Sequence, residues 1–339
     1  MPAEWEPHLA TWLAWPHELT DWPGKFEPIP WVYADIVRHL ASVERVRIVV
    51  DNSAARSRAR KILNSSGVNL ASVDFFIAPT NRGWIRDFGP IFVVNDQGTV
   101  AATNWQFNGW AKYDNWKKDD AVNDIVLPQL QIKSWQPVAG DHRIVLEGGS
   151  IDVNGRGLML TTEECLLSKV QARNPTLLRE DLEHSFRDYF GIEKVLWLNR
   201  GIAGDDTHGH VDDLSRFVNP TTIVTVMEEN AKDVNYEPLQ ENFDRLRAMT
   251  DQQGQHFKIE TLPMPAPVYF DGQRLPASYA NFYIANRLVL VPTFSDPNDR
   301  VAVNTLARLF PDREVIGIAC RDLVLGLGTL HCMSQQQPA

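Results

Sequence analysis

Short β-branched runs alternate along the chain with longer segments whose apolar residues recur at helical spacing. Helices are predicted at residues 31–43, 53–65, 179–189, 238–250 and 300–309. Strands are predicted at residues 46–50, 74–77, 91–94, 145–146, 159–161, 195–198, 223–226, 282–284, 288–291 and 315–318. This alternation predicts an α/β architecture. Because no long Gly-, Ser- or Pro-rich linker interrupts it, one domain over residues 1–339 is expected.

The first 30 residues interrupt the alternation. They are rich in proline and contain Trp5, Trp12, Trp15 and Trp22. Proline at this density prevents long helices, and the tryptophans require burial. This segment is therefore predicted to be an ordered, loop-rich arm.

The composition narrows the class of protein. With 44% hydrophobic and 22% charged residues among 339, the chain can bury a large core and is not expected to be disordered. Its formal net charge of -10 disfavours nucleic acid and anionic lipid as partners and mildly favours cationic ligands. Three cysteines do not form a disulfide framework and fit a reducing compartment. With neither a signal-peptide pattern nor a long apolar stretch, a cytoplasmic protein without membrane contact is expected.

Four segments place ionisable residues beside glycine in apolar surroundings. Their sequences are WIRDFGP at 84–90, EGGS at 147–150, DDTHGHVDD at 205–213 and GLGTLHC at 326–332. We take them as candidates for a functional site.

Cys332 is the candidate nucleophile, because it follows a glycine-containing segment that can adopt unusual backbone angles. The alternative is a buried structural thiol, which is the commoner fate of a free cysteine. Cys165 and Cys320 lie in apolar runs and are expected in the core.

The segment around His210 allows three interpretations. On an extended strand, His210 and Asp212 would point to the same face, so that one could transfer a proton while the other binds a cation. A metal site could instead be formed by His208, His210, Asp205 and Asp206. The third interpretation is a solvated acidic loop.

The first two segments each contain a carboxylate of interest. Asp87 could pair with Arg86 or Arg82 at the surface, or it could stand beside the Trp84 ring and bind a planar cation. Glu147 could belong to a plain turn or be a buried carboxylate that orients a histidine.

Taken in order, these segments resemble the agmatine deiminase and bacterial peptidyl-arginine deiminase family of guanidine-modifying enzymes. The resemblance extends over nearly the whole chain and includes residues 1–5, 12–16, 104–110, 201–213 and 331–336. Two departures stand out. Thr80-Asn81-Arg82 replaces a frequent T-N-D, which concerns substrate preference, and Leu327 interrupts a frequent run of three glycines, which concerns loop geometry.

The resemblance implies a pentein-type α/β propeller with five-fold pseudosymmetry, acting as a single catalytic domain. It implies that Cys332 attacks the guanidinium carbon, that His210 protonates the departing ammonia and then activates water, and that Glu147 orients His210. No metal and no cofactor are expected.

The resemblance also assigns substrate contacts. Asp87 and Asp212 would bind the guanidinium nitrogens, and Trp84 would form one wall. Agmatine is the expected substrate, with N-carbamoylputrescine and ammonia as products and a role in putrescine and polyamine synthesis. The acidic residues Glu4 and Glu6 of the N-terminal arm favour a substrate with an amine tail.

Three alternatives remain open at this point. The chain could act on peptidyl arginine or another small guanidine, it could be a metal-dependent hydrolase, or it could bind a ligand without turnover. Whether it forms a homo-oligomer is also left open by the sequence.

Overall fold

Five small mixed β-sheets form the framework of the computed structural model, which describes all 339 residues. In strand order, the first sheet contains Ser334–Pro338, His8–Ala14, Arg45–Val50 and Val73–Ile77. The second sheet contains Ile91–Val94, Val100–Thr103 and Ser134–Trp135, and the third contains Asp152–Val153, Leu158–Thr162 and Lys194–Leu198. The fourth sheet contains Ser215–Asn219, Thr222–Met227 and Lys258–Pro263, and the fifth contains Tyr283–Ala285, Leu288–Thr293 and Glu314–Ala319.

The five sheets share one pairing pattern. In each, the first strand of the order above pairs antiparallel with the second, and the second pairs parallel with the third. The first sheet adds one further parallel strand, Val73–Ile77. The first strand in each of these orders has only one partner, to which it is antiparallel, and we call it the leading strand of its sheet.

Helices connect the parallel strands, because a parallel pair needs a long crossover. They are Ile29–Leu40 and Ser53–Ser65 in the first sheet, Lys117–Asp120 and Val122–Gln129 in the second, Glu163–Leu167 and Arg179–Phe190 in the third, Tyr236–Ala248 in the fourth and Asn298–Leu309 in the fifth. The short helix Ile85–Phe88 lies between the first and second sheets. Two hairpins, Val138–Ala139 with His142–Arg143 and Tyr269–Phe270 with Gln273–Arg274, complete the strands, and the 3₁₀ helices are Leu19–Asp21, Leu70–Ser72, Gly148–Ser150, Val211–Asp213 and Leu323–Gly326.

Most predicted elements are present within two residues of their predicted ends, which confirms the α/β class. Two predictions are wrong. Residues 145–146 form no strand, and Val145 makes only an isolated bridge with Gln106. The first 30 residues are not simply loop-rich, because His8–Ala14 is an inner strand of the first sheet. The prolines Pro7 and Pro16 flank this strand rather than interrupt it.

The largest hydrophobic cluster joins the first sheet to the fifth. It contains the buried rings of Trp12, Trp22 and Trp84 and also Cys332. No helix has the length and apolar character needed to cross a membrane. The core therefore supports the walls of a cavity next to Cys332.

Candidate active site

Each leading strand is preceded by a segment that contributes to one buried site. Asp87 precedes the second sheet, Glu147 the third, His210 the fourth, Asn281 the fifth, and Cys332 the leading strand of the first. Because the five sheets share one pattern, these segments enter the framework at equivalent positions. The fold therefore brings together side chains that are far apart in sequence.

Cys332 lines a cavity of about 260 Å³, although only 5% of the residue is exposed. Its Sγ atom lies 3.1 Å from the side-chain nitrogen of Asn281 and 3.7 Å from Oδ2 of Asp212. Cys165 and Cys320 are buried in hydrophobic clusters, as predicted. Cys332 is thus the cysteine that faces the cavity.

The Cys332 thiol is difficult to ionise in this setting. Burial raises its pKa well above the usual value, and the nearby carboxylates, Asp212 first, raise the pKa further. The hydrogen bond from Asn281 acts in the opposite direction. A bound cation would offset the carboxylates and favour the thiolate.

Asp87 is buried and is not paired with an arginine at the surface. Its Oδ1 accepts a hydrogen bond from the backbone N–H of Gly149 at 3.1 Å, and its Oδ2 accepts one from the Trp110 indole at 2.9 Å. Burial raises the pKa of Asp87 to about 6, and Asp212 contributes to the rise. The carboxylate is held at the cavity wall by donors that leave it able to bind a cation.

Asp212 is fully buried, and its two oxygens differ. Oδ2 accepts a hydrogen bond from His331 at 2.6 Å, whereas Oδ1 has no hydrogen-bond partner. The prediction that His210 and Asp212 share one face of a strand is wrong, because a 3₁₀ helix, Val211–Asp213, starts directly after His210. The two side chains are nevertheless neighbours, with His210 Nδ1 lying 4.0 Å from Asp212 Oδ1.

His210 is surrounded by acids. Its Nδ1 lies 3.8 Å from Asp87 and its Nε2 lies 3.8 Å from Glu147. Burial alone would lower the pKa of His210, but the neighbouring groups, Asp87 first, raise it well above its ordinary value. The imidazole is therefore suited to carry a proton into the site.

Glu147 interacts with His210 electrostatically, because the distance of 3.8 Å between them is too long for a hydrogen bond. Its Oε1 accepts a hydrogen bond from Nε of Arg173 at 3.0 Å, while Oε2 has no hydrogen-bond partner. Burial would raise the pKa of Glu147, but Arg173 and His210 outweigh it and lower the pKa to about 2. Arg173 also donates to the backbone carbonyl of Thr207, which connects Glu147 to the loop that carries His210.

Trp84 forms one wall of the cavity. Its indole N–H donates to Asp21 at 3.1 Å, and its ring packs against Trp22 with centroids 5.4 Å apart. A Cβ atom at Gly328 would lie 2.9 Å from the Trp84 ring and 3.0 Å from Cβ of Cys332, so only glycine fits there. Leu327 has a φ of 68°, the left-handed region in which glycine is favoured.

The cavity lining contains more acidic than basic side chains. It includes Asp21, Asp206 and Asp271, and its only basic residue, Arg82, is paired with Asp21. Neither Glu4 nor Glu6 lines this cavity, so the expectation that they favour an amine tail is wrong. Glu4 is buried, and its carboxylate contacts Arg86 and His331 instead.

The four candidate metal ligands do not converge. Both oxygens of Asp205 accept hydrogen bonds within its own loop, from Thr207 and from the backbone N–H groups of Gly209 and His210. Asp206 binds Lys112 and Tyr113, while His208 contacts Ser168. The carboxylates thus shape the loop and the rim of the cavity.

Three residues of the site were not identified from the sequence, namely Trp110, Arg173 and Asn281. Asn281 accepts hydrogen bonds from Thr329 and from the backbone N–H of His331, which holds the segment before Cys332 in place. Trp110 lies in the segment 104–110, whose resemblance to the family offered a signal. Neither Asn281 nor Arg173 lies in a distinctive motif.

The sequence matches the Porphyromonas-type peptidyl-arginine deiminase family over residues 1–338. It is 34% identical over 362 residues to the agmatine deiminase of Pseudomonas putida, covering 100% of this chain and 95% of that protein. The solved structure of the Enterococcus faecalis agmatine deiminase has a TM-score of 0.92 at 32% identity and covers 100% of this chain and 95% of that one. An amidinotransferase from Microseira wollei, with a TM-score of 0.51, 13% identity and coverage of 99% of this chain and 96% of that one, shows a similar fold.

Proposed function

The chain belongs to the Porphyromonas-type peptidyl-arginine deiminase family, and we propose that it hydrolyses the guanidine of agmatine to N-carbamoylputrescine and ammonia. One observation carries this proposal. Cys332 and Asp87 supply a thiol and a carboxylate that line one cavity. The imidazole of His210 and the carboxylate of Asp212 are fully buried next to them. This combination suits a planar cation that must be held, attacked and protonated.

Asp87 and Asp212 bind the guanidinium in the proposed mechanism. A guanidinium ion is planar and presents several N–H donors, which match the oxygens of carboxylates. Oδ1 of Asp212 is buried without a partner, and such an atom is costly unless a ligand pairs with it. Trp84 packs along the ligand and excludes water from that side.

Cys332 then attacks the central carbon. The thiolate forms a C–S bond, and the carbon becomes tetrahedral as the electron pair of one C–N double bond moves to nitrogen. His210 gives its proton to the leaving nitrogen, the C–N bond breaks and ammonia departs. The remaining adduct is an S-alkylthiouronium ion.

Water completes the reaction. The now neutral His210 accepts one proton from the water as its oxygen attacks the adduct and forms a tetrahedral intermediate. As this intermediate collapses, its hydroxyl group loses the remaining proton to solvent, the C=O bond forms, and the C–S bond breaks to release the carbamoyl product and the Cys332 thiolate. Glu147 stabilises the charged form of His210 through its position 3.8 Å from Nε2. One water is consumed and one ammonia is formed in each cycle.

The acidic cavity lining supports agmatine over substrates with a free carboxylate. Asp21 and Asp206 are paired with Arg82 and Lys112, which leaves Asp271 as the acid that would repel a carboxylate and attract the amino tail of agmatine. The guanidinium of Arg82 lies 4.4 Å from the centre of the Tyr113 ring, paired with Asp21. That arrangement leaves it poorly placed to bind a second anion.

A substrate panel tests the proposal. Ammonia release is measured from agmatine, arginine and arginine-containing peptides with the purified wild-type chain and with Cys332→Ser. Agmatine is expected to give the highest kcat/KM, and Cys332→Ser is expected to abolish turnover. Reaction with peptides alone would refute the assignment of agmatine, and activity retained by Cys332→Ser would refute the mechanism.

A chelator and a thiol reagent separate the proposal from a metal-dependent hydrolase. Turnover should survive dialysis against a chelator, while alkylation of Cys332 should stop it and agmatine should slow that alkylation. Loss of activity on chelation, restored by a divalent ion, would favour the hydrolase.

We also propose a five-fold pseudosymmetric arrangement of the five sheets around the site, with residues 1–339 acting as one catalytic domain. The shared pairing pattern and the equivalent positions of the site segments support this proposal. Superposition of successive sheets should give rotations about one common axis. The three unpaired cysteines fit a reducing cytoplasm, which cell fractionation can test.

A further inference from the structure

His331, the residue before the nucleophile, connects two buried carboxylates. Its Nδ1 lies 2.6 Å from Oδ2 of Asp212, and its Nε2 lies 2.8 Å from Oε2 of Glu4. All three residues are at most 5% exposed, although Glu4 and His331 are 327 positions apart in sequence. The imidazole therefore joins the N-terminal arm to the candidate substrate-binding acid.

Glu4 is a fixed anchor for this contact. It pairs with Arg86 at 3.3 Å and with Arg216 at 2.9 Å, and it accepts the backbone N–H of Ile284 at 2.8 Å. Burial would raise the pKa of Glu4, but Arg216 and His331 lower it well below its usual value. The carboxylate is thus held as an anion with little freedom to move.

Because of the contact with His331, only one of the two oxygens of Asp212 has a hydrogen-bond partner. Oδ2 is occupied by the imidazole, while Oδ1 is buried, unpaired and 4.0 Å from Nδ1 of His210. A carboxylate without such a donor could rotate about its terminal torsion, which is broad for aspartate. The orientation of Asp212 is therefore set by His331; both residues are buried, and neither is part of the cavity lining.

We propose that His331 is a positioning residue that is anchored by Glu4 and fixes Asp212 so that one carboxylate oxygen stays available for the guanidinium of the substrate. This inference rests on the proposed function. It assigns to His331 no contact with the substrate and no proton transfer.

Several titratable groups lie around Asp212 and affect its pKa. They come from the C-terminal segment, from the loop and strand that carry Asp212 and from the helix before the second sheet, and they are His331, Cys332, His210, Asp213, Arg216 and Asp87. Burial would raise the pKa of Asp212, but His331, followed by His210 and Arg216, lowers it. Loss of the hydrogen bond from His331 should therefore raise the pKa of Asp212.

Two amide substitutions at this position form a matched pair. In asparagine the amide nitrogen is bonded to Cγ, as Nδ1 is in histidine, so His331→Asn can still donate to Asp212. In glutamine the amide nitrogen lies one bond further out, as Nε2 does, so His331→Gln reaches Glu4 but not Asp212. Both variants lack the imidazole ring, and they differ in which carboxylate they can contact.

Steady-state kinetics with agmatine should separate the two variants. We expect His331→Gln to raise KM roughly 10- to 100-fold, which corresponds to loss of one hydrogen bond to a charged group. Below the pKa of Asp87, which is about 6, its acidic limb of kcat/KM should lie at higher pH than in the wild type, because Asp212 must also be ionised to bind the cation. We expect His331→Asn to stay within roughly tenfold of the wild-type KM with a smaller displacement of the limb. A merely structural role would not distinguish the variants in this way.

A measurement without substrate makes the inference independent of the proposed function. The pKa of Asp212 can be followed by ¹³C NMR of aspartate-labelled protein, with its signal assigned by its loss in Asp212→Asn. The order of pKa values should be His331→Gln above His331→Asn, with the wild type lowest. Equal pKa values in the two variants, or the reverse order, would overturn the inference.

The two proposals can fail separately. If the wild-type chain releases ammonia from no guanidine, the proposed function fails, and the NMR order alone decides the role of His331. If the wild type is active but the two variants have equal KM values and equal acidic limbs, the role of His331 is refuted and the deiminase activity stands. Glu4→Gln keeps the side-chain size, and as the anchor it should raise KM less than His331→Gln does. A larger effect at Glu4 would contradict the proposed order of the contacts.

Discussion

The Sγ atom of Cys332 lies 3.7 Å from Oδ2 of Asp212 in a buried site. Ionisation of the thiol there places two negative charges side by side, and burial together with Asp212 raises the pKa of Cys332 well above its usual value. A guanidinium between the two groups removes this conflict. The nucleophile and its cationic substrate are therefore coupled through Asp212.

Binding of a cationic ligand should lower the pKa of Cys332. Ultraviolet absorbance of the thiolate, titrated with and without an unreactive guanidine analogue, measures this shift. Cys332→Ser supplies the baseline, because Cys165 and Cys320 remain in that variant. An unchanged or higher titration midpoint in the presence of the analogue would count against this coupling.

Trp110→Phe should remove one of the hydrogen bonds that position and stabilise the Asp87 carboxylate. The substitution removes the indole N–H that donates to Oδ2 at 2.9 Å, and a hydrogen bond to a charged group contributes about 1.5–3 kcal/mol. The pKa of Asp87 is already raised to about 6, so activity should fall as pH drops through that value and the acid is protonated. The variant should move this acidic limb of kcat/KM to higher pH and raise KM roughly tenfold.

Trp105→Phe is the matched control for Trp110→Phe. Its indole donates to the neutral hydroxyl of Thr103 at 2.9 Å in a separate hydrophobic cluster. The control should lose stability without any movement of the acidic limb. If both variants moved the limb equally, Trp110 would have no special role toward Asp87.

Gly149→Ala should impair catalysis in the folded protein. A Cβ atom at this position would lie 2.5 Å from Nδ1 of His210 and 2.9 Å from Oδ1 of Asp87, so both groups must move. Displacement of a reacting group by about 1 Å can cost roughly 100-fold in rate. The ratio of kcat/KM to the wild-type value, measured on folded protein, tests this expectation.

Gly317→Ala is the corresponding control. Its Cβ would lie 2.9 Å from the methyl group of Thr293, within the fifth sheet and outside the cavity lining. Gly317→Ala should be destabilised less than Gly149→Ala, because Gly317 is exposed and the Thr293 methyl group can move, and only Gly149→Ala should lose turnover. Full activity of Gly149→Ala would show that the ring of His210 has more room than the structure indicates.

The pair Glu147–Arg173 should make stability depend on pH at the acidic end. The folded pKa of Glu147 is lowered to about 2, so its stabilising contribution is present above the ordinary pKa of 4.5 and is lost as pH falls toward 2. Urea unfolding at a series of pH values should show this loss in the wild type. The slope should be smaller in Glu147→Gln, which has no such group to protonate.

Removal of either partner should leave the other charge buried. Arg173→Met and Glu147→Gln should each lower the free energy of unfolding by about 3–5 kcal/mol, because both side chains are inaccessible to solvent. The double variant should be less destabilised than the sum of the two single variants. Strict additivity would indicate that the two charges do not interact.

The elements that were predicted correctly are those whose pattern is local. The helix Ser53–Ser65 and the strand Arg45–Val50 follow from periodicity and β-branched residues within their own segments. His8–Ala14 was missed because its place in the sheet depends on two partner strands, one of them Ser334–Pro338 at the other end of the chain. Local propensity carries no information about such partners.

The candidate site shows the same division between local and distant information. Cys332, His210 and Asp87 lie in glycine-flanked motifs and were identified, whereas Asn281 and Arg173 act through contacts with distant segments. Arg173 meets Glu147 across 26 positions, and Asn281 meets Cys332 across 51. Their roles became visible only when the fold brought these segments together.

The pairing of His8–Ala14 with Ser334–Pro338 has a consequence for biosynthesis. A chain emerging from the ribosome cannot complete the first sheet or bring Glu4 to His331 until residues 331–338 are translated. Cys332 is held among its acids by that same closure. We therefore expect catalytic competence only after residues 334–338 have been synthesised and paired with His8–Ala14.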